Sequence, residues 1–178
     1  MNTSDEHRSH AKRGYVFGVA TISSSRYREH GGARSPDEAD DVSGAIIVDA
    51  LCDGGHTSRY ALLPDDIDAI RGWIGDSIAD ADVDAIITTG GTGLAPGDVT
   101  IEAAGTLLEK EMPGFGEIFR ARSMDEIGYA AMLTRAIAGV VRGCPVFCMP
   151  GSPNAVRLGI GMIASEIGHV VEHARGRV

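Results

Sequence analysis

DVDAIITTGGTGLAPGDVTIEA, residues 82–103, contains the features that decide the fold of this chain. Its first half is apolar and β-branched as far as Thr89, which predicts a buried strand. The glycines of GGTG at 90–93 then end the strand, and a helical pattern resumes near Asp98. A strand, a glycine turn and a helix start bring bare backbone N–H groups together where no side chain blocks them. The stretch therefore predicts an anion site at the end of a strand.

Strands and helices alternate along the rest of the chain. Apolar runs predict strands at 15–22, 56–63, 83–89, 136–141 and 145–149. Helical spacing predicts helices at 43–51, 65–78, 99–111, 118–124 and 129–133, and a final helix that ends near His173. Residues 23–41 have no periodicity, which predicts a long mobile loop. The order predicts an α/β fold: a three-layer sandwich with a mostly parallel central sheet.

Composition limits the class of protein. The 178 residues predict one domain over 14–178, preceded by a flexible N-terminal arm at 1–13. A net charge of −9 argues against a nucleic-acid partner, because no basic stripe is present to release phosphate counterions. No apolar run reaches the roughly 18–20 residues of a membrane helix, and the polar start lacks a signal-peptide core. We therefore expect a cytoplasmic protein with no membrane partner.

The spacing of the cysteines does not support a metal or redox site, whereas the spacing of two histidines leaves a metal site open. Cys52, Cys144 and Cys148 include no CxxC pair, so buried structural thiols are expected, with the last two on one face of a strand. His169 and His173 are one helical turn apart, which fits either a metal pair or a solvated terminal turn.

The glycine loop alone does not identify a function. Its spacing is neither GxGxxG nor GxxxxGK[ST], which argues against a dinucleotide dehydrogenase and a P-loop nucleotidase. The simpler alternative is a tight turn that requires positive φ. Asp65 and Asp98 have a similarly simple interpretation as helix caps. Both, however, follow strands at the edge where parallel sheets bind ligands, so they can also hold Mg²⁺ beside a phosphate or accept paired N–H bonds from a pterin.

Four motifs in order resemble the MoaB/MogA family: TTGGTGLAPGDVTIEA (88–103), MPGFGEIFR (112–120), LTRAIAG (133–139) and MPGSPNAV (149–156). The resemblance extends from residue 15 to 167. It implies an α/β sandwich that binds molybdopterin and, in active members, adenylylates it with ATP and Mg²⁺, giving adenylyl-molybdopterin and pyrophosphate. It also implies a homotrimer or homohexamer.

The resemblance implies a set of site residues as well. Asp65 and Asp98 match the essential acidic positions, and Asp65 is the expected Mg²⁺ ligand. The pterin and phosphate would lie against the glycine loop and a second corner, formed by Thr89, Gly90, Gly91, Thr92, Gly93, Glu117, Ser152, Pro153 and Asn154.

Two departures from the family pattern leave an alternative open. Many active members carry arginine where this chain has Gly97, and many have SDR after the first strand, where it has Ser23-Ser24-Ser25-Arg26. Arg26, Arg28 or Arg34 would have to supply the missing cation. The alternative is a non-catalytic molybdopterin carrier, although Asp65, which inactive branches have lost, favours activity.

Overall fold

The computed structural model describes residues 14–176, whose centre is one six-stranded sheet. The strands are β1 Val16–Ile22, β2 Thr57–Leu63, β3 Ala85–Thr89, β4 Lys110–Glu111, β5 Ile137–Val141 and β6 Cys144–Met149. Their order is β2-β1-β3-β6-β5-β4. Strands β2, β1, β3 and β6 are parallel, whereas β5 is antiparallel to both β6 and β4. The predicted mostly parallel sheet is confirmed.

Helices cover both faces of this sheet. They are α1 Ser24–His30, α2 Val42–Asp53, α3 Ile67–Ala79, α4 Thr100–Gly105, α5 Pro113–Ile127 and α6 Pro153–Ala174, with 3₁₀ helices at Asp37–Ala39 and Gly128–Leu133. Helices α2, α5 and α6 pack on one face, and α3 and α4 pack on the other. Ile87 and Ile86 of β3 point to these opposite faces and are both fully buried. The three-layer sandwich is therefore confirmed.

Three expectations about the elements were wrong. Residues 23–41 include α1 and a 3₁₀ helix; α1 buries no side chain, so it has no hydrophobic periodicity to detect. The helix expected at 99–111 ends at Gly105, because the chain turns back to pair Lys110 with Val140 at the sheet edge. Cys52 is exposed, whereas Cys144 and Cys148 are buried on one face as expected.

The N-terminal arm predicted at residues 1–13 lies outside the described residues. Within residues 14–176, no helix combines the length and apolar character needed to cross a bilayer.

Candidate functional site

The parallel strands end at one edge of the sheet, where the chain changes its winding direction between β1 and β3. From β1 the chain crosses to β2 on one side, and from β2 it returns past β1 to β3. Ligands of open parallel sheets bind at such a switch point, because the connections leave a crevice there. Residues 90–93, the glycine loop, cross this point directly against the carbonyl of Ile22 at the end of β1.

Two glycines allow the loop to make this crossing. Gly90 and Gly91 have φ values of +91° and +60°, which a residue with a side chain rarely adopts. A Cβ at Gly90 would collide with the Ile22 carbonyl, and one at Gly91 would lie 2.5 Å from Thr100 Oγ1. The tight-turn interpretation is therefore correct for these two positions, and it is compatible with a ligand above the loop.

Asp65 lies against the glycine loop. Its Oδ2 accepts a hydrogen bond from the backbone N–H of Ser24 at 2.8 Å, and its own N–H donates to Ser24 Oγ at 2.9 Å. A Cβ at Gly91 would lie 2.7 Å from Asp65 Oδ1. The cap of α3 is Asp66, which accepts from the N–H of Ala69, so the helix-cap interpretation of Asp65 is wrong.

Asp98 lies at the other end of the same loop. A Cβ at Gly93 would lie 2.6 Å from Asp98 Oδ2, and this oxygen accepts a hydrogen bond from the N–H of Ala95 at 3.0 Å. The residue before α4 is Val99, which makes no side-chain cap. The helix-cap interpretation of Asp98 is therefore wrong as well. Because α4 has only six residues, its dipole contributes little, and the backbone N–H groups of the loop carry the anion-site argument.

Arg135, on the segment between the second 3₁₀ helix and β5, is the cation of this site. It donates to the carbonyls of Thr92 and Gly93 at 2.9 and 2.6 Å, and to Glu102 at 2.5 Å. The hydrogen bond from Arg135 lowers the pKa of Glu102. Sequence reasoning missed Arg135 although it lies in the LTRAIAG motif, because no periodicity connects it to a loop about forty residues earlier.

A cavity of about 390 Å³ lies above the glycine loop. Its lining residues are Gly90, Gly91, Thr92, Gly93, Asp98, Leu133, Thr134, Arg135, Pro150 and Gly151. The structure thus brings together the glycine loop, one expected carboxylate and the corner after β6. Asp65 is not among the lining residues but adjoins Gly91 from the side of β2.

The other expected site residues are placed less directly. Thr89 is fully buried, and its hydroxyl donates to the Pro150 carbonyl, so it fixes the two walls of the cavity to each other. Ser152 caps α6 by accepting from the N–H of Ala155. Pro153 and Asn154 follow it and are exposed beside the cavity. Glu117 is not brought to this cavity: it lines a separate one of about 300 Å³ between α4, α5 and β5.

The cations expected from residues 23–41 do not occupy the position beside Asp98. Arg26 donates to the carbonyls of Ala39 and Asp40, so it binds its own segment together. Arg28 and Arg34 are exposed.

The same segment ends at a buried carboxylate, Asp41. Its Oδ2 accepts hydrogen bonds from Thr21 at 2.5 Å and Tyr60 at 2.7 Å. Burial and this contact raise the pKa of Tyr60 above its ordinary value. A Cβ at Gly44 would collide with Asp41, which explains why a glycine follows Ser43. Ser43 extends the network to the cavity wall by donating to the Gly151 carbonyl at 2.8 Å.

The two site carboxylates suit a hard cation such as Mg²⁺. Within residues 14–176, neither Asp65 nor Asp98 takes part in a salt bridge, and no donor is found for Asp65 Oδ1. The same residues contain no group of three His, Cys, Asp or Glu side chains able to hold a metal. Mg²⁺ does not require such a group, because one or two carboxylates with water and substrate phosphates commonly complete its shell.

The sheet edge, the glycine loop and the carboxylates at its two ends define an α/β domain with a cavity at the carboxyl ends of its parallel strands. The sequence model of the family described as "Probable molybdopterin binding domain" matches residues 18–169. The chain belongs to this family, whose MoaB and MogA members it resembles in sequence.

Relatives match this chain over nearly its whole length. A protein of Pyrococcus furiosus named molybdopterin adenylyltransferase is 41% identical over 175 residues, 96% of this chain and 98% of the relative. Molybdenum cofactor biosynthesis protein B of Halalkalibacterium halodurans is 42% identical, covering 94% of each chain. The crystal structure of the tungsten cofactor synthesizing protein MoaB from Pyrococcus furiosus superimposes with a TM-score of 0.78 at 40% identity, over 93% of this chain and 99% of the other.

Proposed function

We propose that this protein catalyses a step of molybdenum cofactor biosynthesis: the adenylylation of molybdopterin by ATP, which releases pyrophosphate. One observation carries the proposal: carboxylates lie at both ends of the glycine loop, Asp65 against Gly91 and Asp98 against Gly93. The printed names of the relatives described above support the same activity. A loop that presents backbone N–H groups can bind phosphate, and carboxylates can coordinate the cation that accompanies the phosphate.

The reaction requires positioning rather than strong acid–base chemistry. The terminal phosphate oxygen of molybdopterin attacks the α-phosphorus of ATP, the α–β phosphoanhydride bond breaks, and pyrophosphate leaves with its electron pair. The nucleophile is already an anion, so no general base is needed. Residues 90–93 line the cavity, so their backbone N–H groups would stabilise the charge of the phosphate. Asp98 lines the cavity and orients the pterin or its accompanying cation.

Magnesium completes this proposal. Asp65 would hold it through Oδ1, since Oδ2 is already bonded to Ser24. When bound there, Mg²⁺ supplies positive charge for the phosphates.

A second candidate is a molybdopterin carrier without catalysis. The observation that favours it is Gly97, which leaves no side chain before Asp98. Against it, Asp65 is present and Arg135 brings a cation to the cavity.

The decisive experiment incubates the purified full chain with molybdopterin, ATP and Mg²⁺ and measures pyrophosphate and adenylylated pterin. We expect the native protein to turn over. Asp65→Ala and Asp98→Ala should each reduce turnover by about 100-fold or more, because removing one group that stabilises the transition state electrostatically typically costs this much. Asp68→Ala is the matched control, because Asp68 is an exposed carboxylate in the first turn of α3. Tight binding of molybdopterin without product would establish the carrier instead, and retained turnover in Asp65→Ala would overturn the assignment of that residue.

Assembly into a homotrimer or homohexamer and a cytoplasmic location belong to the same proposal. An exposed apolar patch on α5 and the following 3₁₀ helix supports association, since its largest side chains, Tyr129 and Met132, are 81% and 80% exposed. Light scattering after size-exclusion chromatography should give three or six times the chain mass. A monomer at micromolar concentration would contradict it.

A further inference from the structure

Arg135 joins both ends of the segment that carries Asp98. Its Nε donates to the Thr92 carbonyl, and its Nη2 donates to the carbonyls of Gly93, at 2.6 Å, and of Asp98, at 3.3 Å. One planar guanidinium therefore sets the distance between the glycine loop and the carboxylate-bearing residue that follows it.

Those contacts also fix the direction of the loop's N–H groups. In a trans peptide the carbonyl and the next N–H point in opposite directions. Because the carbonyls of Thr92 and Gly93 face Arg135, the N–H groups of Gly93 and Leu94 point away from it. Among residues 14–176 no acceptor is found for these two N–H groups. Backbone N–H groups of a glycine-rich loop that lack a protein acceptor are available to bind an anion.

Glu102 holds the guanidinium in this orientation. Its two carboxylate oxygens accept from Nη1 at 2.5 Å and from Nη2 at 3.4 Å. The Arg135 side chain is only 26% exposed. With its donors committed to three carbonyls and one carboxylate, the guanidinium has little capacity left for a substrate phosphate. Its position indicates that it shapes the cradle, and that the backbone binds the anion.

We infer that Arg135, held by Glu102, is a positioning residue that orients the N–H groups of Gly93 and Leu94 and the backbone of Asp98 for phosphate binding. The kinetic part of this inference rests on the proposed adenylyl transfer. The structural part does not, because the loop is oriented before any substrate arrives.

The first test needs no substrate. ¹⁵N relaxation should give Gly93 and Leu94 order parameters near the rigid value of about 0.85 in the native protein, and below about 0.6 in Arg135→Lys. Lysine keeps the charge but cannot reach three carbonyls with a planar fork. Arg122→Lys, on the exposed face of α5, is the matched control and should change nothing. Equal order parameters in the native protein and Arg135→Lys would overturn the inference.

The second test uses kinetics and inorganic pyrophosphate as an anion probe. Arg135→Lys should lower kcat/KM roughly 10- to 100-fold, mainly through kcat, as expected for misplaced groups. Glu102→Gln should weaken pyrophosphate binding severalfold. Removing a negative charge near an anion site would on Coulombic grounds alone strengthen binding, so tighter pyrophosphate binding in Glu102→Gln overturns the inference. If the native protein shows no turnover, the proposed function fails, and the relaxation and pyrophosphate measurements still decide the role of Arg135.

Discussion

Ser24 and Asp65 are joined by two reciprocal hydrogen bonds, from the N–H of Ser24 to Asp65 Oδ2 and from the N–H of Asp65 to Ser24 Oγ. The pair connects the start of α1 to the end of β2. It also holds the carboxylate so that Oδ2 accepts a hydrogen bond from Ser24 and Oδ1 faces the glycine loop at Gly91.

Replacing Ser24 should therefore change turnover through Asp65. Ser24→Ala removes the hydroxyl and keeps the N–H, so we expect a loss of a fewfold. Ser24→Pro removes both groups, yet proline fits the first position of a helix, and the extended Ser23 before it accepts a following proline. We expect kcat/KM of Ser24→Pro to be roughly 10-fold lower than that of Ser24→Ala, because a misoriented catalytic group lowers the rate. Equal rates for the two variants would show that the N–H bond does not orient Asp65.

Gly97→Arg should raise activity without a cost in stability. Gly97 is exposed, and a Cβ there would meet no atom within 4 Å. An arginine at this position would add a cation beside Asp98 and the phosphate cradle. Steady-state assays should show a lower KM for ATP or molybdopterin and an unchanged Tm. A lower kcat/KM would mean that the site is already compensated for Gly97 by Arg135 and tolerates no second arginine.

Gly91→Ala should lower both stability and activity. The positive φ and the approach of Thr100 and Asp65 leave no room for a methyl group. We expect a loss of about 1–3 kcal/mol in the free energy of unfolding, the usual cost of such a strained conformation. Denaturant unfolding measures this loss. Turnover should fall even at temperatures where the variant remains folded, because the methyl group displaces Asp65.

The thiols should differ in reactivity. Burial raises the pKa of both Cys144 and Cys148 to about 11, whereas Cys52 is exposed. At pH 8 a thiol reagent should label one cysteine per native chain and all three after unfolding. Cys52→Ser should abolish the native labelling. Rapid labelling of that variant would show that β6 opens.

The Glu102–Arg135 contact should give a pH-dependent contribution to stability. The pKa of Glu102 is lowered in the folded protein below its ordinary value of 4.5. The contribution is therefore present above pH 4.5 and lost as the pH falls through the folded-state pKa. Because Glu102 is about half exposed, the contribution is roughly 0.2–1 kcal/mol. The Tm difference between the native protein and Glu102→Gln should vanish on acidification. A constant difference would show that packing, not charge, is responsible.

The sequence predicted what periodicity and local spacing determine. Ile86 and Ile87 in β3 identify a strand buried on both faces, and the strand–helix alternation yields the parallel sheet. It failed where long-range contacts override the local pattern. Val99 to Glu111 is helical in spacing, yet its last two residues form an edge strand because they pair with β5.

The sequence predicted the placement of the candidate site residues only in part. Asp65 and Asp98 were identified by their position after strands, and the structure brings both to the glycine loop. Arg135 was not assigned a role, because its partners are carbonyls, which carry no sequence signal. Arg26 was expected to serve the site as a charge, but its donors bind the carbonyls of its own segment.

The position of β1 between β2 and β3 has a consequence for the nascent chain. Strand β1 emerges from the ribosome before either neighbour and pairs first with β2, as Val19 does with Tyr60. Its other edge, which ends beside the glycine loop at Ile22, stays unpaired until Ala85–Thr89 has been synthesised. For that interval the chain exposes an apolar strand edge of the kind that recruits foreign strands. The strand edge beside the crevice of the finished protein is thus open to misassembly until β3 has been synthesised.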